Sequence, residues 1–62
     1  MNIIERAKLQ NLGVKQLSTN LKINRSTFYR KQKNNSFTIK EAKILSALLK
    51  LNNSEIIEIF FN

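Results

Sequence analysis

The chain has 62 residues, a formal net charge of +7, and neither cysteine nor histidine. A disulfide framework and a zinc site built on those ligands are thereby excluded, so apolar packing must hold the fold. With 42% hydrophobic residues there is material for one domain, although a chain this short buries only about 60% of its unfolded surface and has a narrow stability margin.

With no proline and one glycine, Gly13, helix boundaries must be read from caps and apolar spacing. Asn2 and Glu5 have capping-box spacing, so a first helix is expected over about Ile3–Asn11, with Ile4 and Ala7 inward and Gly13 marking its end. A second is expected over about Val14–Asn20, where Leu17 and Leu21 stand four residues apart on one side. Asn24 is a good N-cap for a third helix, from Arg25 to about Lys33, whose one clear core residue is Phe28. After a polar loop, Thr38 and Glu41 form a second capping box, opening a helix over about Ile39–Lys50 with Ala42, Leu45, Leu48 and Leu49 as an apolar stripe. Asn52 and Glu55 form a third, opening a helix over about Asn53–Phe60 with Ile56, Ile59 and Phe60 on one face. No strand-like alternation of useful length occurs, so the expected fold is all-α, a compact five-helix bundle forming a single domain over residues 1–62.

Charge is unevenly distributed. No acidic residue lies between Glu5 and Glu41, and that interval holds Arg6, Lys8, Lys15, Lys22, Arg25, Arg30, Lys31, Lys33 and Lys40. From Glu41 onward, Lys43 and Lys50 stand against Glu41, Glu55 and Glu58. A concentrated positive surface attracts phosphate and releases its counterions, which points to nucleic acid.

Within Val14–Arg30, apolar residues fall at Leu17, Leu21, Ile23 and Phe28 around the turn Leu21-Lys22-Ile23-Asn24. This spacing predicts a buried hinge: Leu17, Leu21 and Phe28 meet underneath, Ile23 plugs the turn, and the third helix crosses the second steeply with its outer face free for a DNA groove.

The stretch VKQLSTNLKINRSTFYR resembles the helix-turn-helix of the phage repressor and Cro family, and the following segments look like the fourth and fifth helices of its small members. The resemblance implies a lambda-repressor-like bundle acting as a sequence-specific transcriptional regulator on double-stranded DNA. It assigns base reading to Arg25, Ser26 and Arg30. Lys15, Thr27, Tyr29, Lys31, Lys33 and Thr38 become contacts to the DNA backbone, and the N–H groups opening the second and fourth helices become further phosphate holders. Departures from the family pattern are Ser18 for alanine, Lys22 for a turn glycine, Val14 for glutamine and Gly13 for a hydroxyl cap. The family's glycine implies positive φ at Lys22. One reading head offers limited contact, so a homodimer, with DNA able to bring the copies together, is expected on half-sites about 34 Å apart.

The apolar end raises a rival reading. Ile56, Ile59, Phe60 and Phe61 are candidates for a partner or dimer surface, and small regulators of this type also serve as antirepressors that bind a partner repressor protein. No catalytic constellation is visible: the chain lacks a glycine-rich phosphate loop, and its four glutamates are scattered. The expectation is therefore a non-enzyme without metal or cofactor. Apolar runs fall short of the ~20 residues of a membrane span, and no export signal is seen, so no membrane partner and a cytoplasmic location are expected.

Overall fold

Five helices form in the computed structural model, which describes residues 3–61: α1 (Ile3–Leu9), α2 (Val14–Leu21), α3 (Arg25–Asn34), α4 (Ile39–Leu49) and α5 (Asn53–Phe60). No strand occurs among the described residues. Helix starts follow the caps. Asn24 Oδ1 accepts the Thr27 N–H at 2.8 Å. Thr38 and Glu41 cap each other reciprocally at 3.1 and 2.9 Å, and Asn52 and Glu55 do so at 2.8 and 3.0 Å. Each such side chain satisfies an amide that the helix ladder leaves orphaned. The expected Asn2 cap lies outside the described residues.

Helix ends follow a second rule. Asn11, Lys22, Asn35 and Lys50 all adopt left-handed backbone, with φ of 60°, 58°, 51° and 54°. At each of these ends the next residue donates its N–H back across the last turn: Leu12 to Ala7, Ile23 to Ser18, Ser36 to Lys31, and Leu51 to Ser46, at 2.9–3.1 Å. These are Schellman endings built without glycine. Leu12, Ile23 and Leu51 follow the left-handed residue and pack against the core, so apolar contact supports the strained cap. The family-based expectation of positive φ at Lys22 is met. The reading of Gly13 as the end of α1 is corrected: Asn11 ends that helix, and Gly13 sits in extended backbone (φ −102°) as the N-cap of α2.

Leu17, Phe28, Leu45 and Leu49 are fully enclosed, and Ile3, Ala7, Leu21, Ala42 and Phe60 complete the buried core. Helix α2 packs on α3 and α4, and α4 packs on α5. In α1 the core residue is Ile3 and not Ile4, which is half-buried; Ile3 and Ala7 share one side at i and i+4. Phe37 and Leu48 are half-buried against the core. An aromatic chain ties the far ends together, with Phe28 and Phe37 ring centres at 5.3 Å and Phe37 and Phe60 at 6.0 Å. Polar pins join distant segments: the Gln10 side-chain amide donates to the Leu49 carbonyl, and Arg6 pairs with Glu55 at 3.2 Å. The radius of gyration is 10.3 Å, close to the roughly 10.6 Å of a compact chain of this length. No helix among the described residues is long and apolar enough to cross a membrane.

Candidate nucleic-acid interface

The hinge residues come together. Leu17 and Phe28 are fully enclosed, Leu21 is buried, and Ile23 is half-buried against them at the turn. Ser18 is buried as well, but its hydroxyl donates to the Lys15 carbonyl at 3.1 Å, so that hydroxyl is not left orphaned.

Burying Phe28 fixes the rotation of α3 about its axis. At about 100° per residue, the exposed side runs from Arg25 through Tyr29, Lys33 and Ser26 to Arg30, an arc of about 140°. All five are exposed. Arg25 and Arg30 therefore share one open half of the helix and stand at its two margins, with Tyr29, Lys33 and Ser26 between them. Neither arginine makes an ion pair or side-chain hydrogen bond with a described residue. Tyr29 is 51% exposed and meets Phe28 edge-on, with ring centres at 6.5 Å. The Ser26 hydroxyl donates to Asn24 Oδ1 at 2.8 Å, which leaves its oxygen lone pairs facing outward as acceptors. Thr27 is half-buried, and Lys15, on the exposed side of α2, has no ion-pair partner among the described residues.

Two of the expected backbone contacts are engaged elsewhere. The Lys31 ammonium lies 2.7 Å from Glu41, with side chains only 21% and 12% exposed. Its charge is matched inside the protein. Thr38 is locked into its capping box with the same glutamate, which puts a carboxylate at the mouth of α4. A phosphate there meets like charge and an occupied amide. The Gly13 N–H is occupied too, donating to Gln16 Oε1 at 2.8 Å. Burial would push the Glu41 carboxyl up, but hydrogen bonds and charge attraction from Lys31, with the Thr38 bonds, hold it below its usual value.

The apolar end also divides. Phe60, expected at a partner surface, is buried: its ring packs edge-on against Phe37 and closes the core. Ile59 is half-buried against the core. Phe61 is 64% exposed and, with Ile56, lines an α4–α5 groove of about 330 Å³. Ile39, 70% exposed, and Lys43 form its other side. The sequence reading missed Ile39. Its signal was an α4 stripe too wide for a single core contact.

Comparison of the chain with family models, curated proteins and solved structures finds no match.

Proposed function

We propose that the protein is a sequence-specific DNA-binding regulator of the lambda-repressor-like, phage repressor and Cro type, which inserts α3 into the major groove. The observation that carries this reading is the pairing of a fully enclosed Phe28 with an exposed side of α3 bearing Arg25, Ser26, Tyr29, Arg30 and Lys33. Enclosed packing holds the helix in one orientation, and a reader must be rigid before its side chains can discriminate bases. The two unpaired arginines supply forked donors suited to guanine O6 and N7. Ser26, its hydrogen directed to Asn24, offers an acceptor to a base amino group. Lys15 and Lys33 bind phosphate and set the register without reading sequence. Lys31 and Thr38 support α3 and α4 internally.

Two copies act together on a near-palindromic site, meeting through the α4–α5 groove with Phe61 and Ile39. That same groove favours a second reading, in which its occupant is a partner repressor and the chain acts as an antirepressor. Gel-shift titration of the purified chain against random and selected duplexes, at two salt concentrations, separates them. Autonomous, sequence-dependent and salt-sensitive shifts support DNA reading. Shifts seen only with a second repressor, or blocked by it, support the modulator.

A further inference from the structure

We propose that the cleft between α1, the start of α2 and the start of α3 binds a small amphipathic anion of the alkyl- or aryl-carboxylate class, and that its occupancy withdraws Arg25 from DNA. The second half of this proposal rests on the DNA reading above; the first does not.

The cleft encloses about 320 Å³, at the lower end of small-molecule sites. Its floor is apolar, made by Ile4, Ala7 and Leu17, while Lys8, Arg25 and Tyr29 stand among its lining residues. No acidic side chain lines it. Lys8 and Arg25 are both exposed and make no ion pair or side-chain hydrogen bond with a described residue. Two unmatched cations beside a hydrocarbon floor suit a ligand with a charged head and an apolar body. The guanidinium takes a carboxylate as a fork, the ammonium adds a point charge, and the floor removes hydrocarbon from water. A metal cation is repelled here, a neutral ligand leaves the charges unmatched, and a bare phosphate leaves the floor empty. Gln16 already accepts the Gly13 N–H, so that amide is taken, and the recognition argued here rests on the side chains of Lys8 and Arg25.

The test is an amide-resolved NMR titration of the ¹⁵N-labelled full chain, without DNA, using phenylpropionate and its neutral amide, phenylpropionamide. Saturable shifts centred on Gly13, Leu17 and Arg25 are expected, with the amide binding about tenfold more weakly. Lys8→Ala and Arg25→Ala should each weaken phenylpropionate about tenfold, while Lys40→Ala, on a cation outside the cleft, leaves it unchanged. Circular dichroism confirms that the variants remain helical. Equal binding of acid and amide, non-saturating shifts spread over the cationic surface, or equal loss from Lys8→Ala and Lys40→Ala overturns the site. Adding phenylpropionate to a gel shift tests the second half: the DNA complex should dissociate as the cleft fills. A complex indifferent to saturating phenylpropionate overturns the competition and leaves DNA reading intact. A chain that never shifts DNA removes the competition together with that reading, whereas the titration result stands on its own.

Discussion

The Glu41 carboxylate holds Lys31 at 2.7 Å through one oxygen and the Thr38 N–H at 2.9 Å through the other. One side chain therefore caps α4 and ties that helix to the inner side of α3. Both partners are largely covered, so solvent screens the pair less than an exposed ion pair.

This geometry makes stability acid-sensitive. The folded carboxyl lies below its usual value. Such a group contributes stability above its unfolded pKa, and that contribution is lost as pH falls through the folded pKa. Urea titrations from about pH 6 down to about pH 2 should show a declining midpoint, and Glu41→Gln should flatten that decline. At neutral pH the same substitution should cost about 1.5–3 kcal/mol, the range for a hydrogen bond to a charged group. An unchanged acid limb in Glu41→Gln would assign the sensitivity to other carboxylates.

Lys50 sits in left-handed backbone with φ 54° and an exposed side chain. Glycine adopts that conformation without the Cβ clash, so Lys50→Gly should stabilise the protein by about 1 kcal/mol. For a domain of this size that corresponds to a rise of roughly 4–8 °C in Tm. Asn11→Gly should gain less, because asparagine tolerates this region. Calorimetry of the two variants provides the check, and a fall in Tm for Lys50→Gly would contradict the cap geometry.

On DNA, Arg30 and Lys33 should behave differently although both lie on the open side of α3. Arg30→Ala should cost about 1–3 kcal/mol on the preferred site and relax preference there. Lys33→Ala should weaken all duplexes alike and lower the salt slope by about one. Competitive binding against site variants distinguishes the two patterns, and identical losses from both changes would argue against base reading by Arg30.

Phe60 and Phe61 are adjacent yet differ in burial, at 8% and 64% exposed. Phe60→Ala should destabilise the fold by about 3–5 kcal/mol. Phe61→Ser should leave unfolding almost unchanged and weaken self-association. Sedimentation velocity with parallel urea melts reads both effects. A Phe61→Ser chain that self-associates as strongly as the parent would move the dimer contact away from the α4–α5 groove.

Much of this architecture was legible locally. The caps at Asn24, Thr38 and Asn52 act within three residues, and the spacing of Leu17 and Leu21 expresses helical periodicity, so both can be read along the chain. The concentration of positive charge in Arg6–Lys40, an interval without acidic residues, is likewise a property of the sequence alone. What the sequence left open depended on contacts between distant segments. Lys31 looked like a phosphate ligand until α4 brought Glu41 beside it, and Phe60 looked like a partner contact until Phe37 covered it. Gly13 was expected to end the first helix, but Asn11 does so, and Asn11, Lys22, Asn35 and Lys50 all take left-handed positions, with apolar packing after three of them to offset the strain. Local hydrogen bonds decide where a helix starts, because their partners lie within one turn. Which side of it is covered, and which charge is matched, depends on neighbours that only the folded chain brings close.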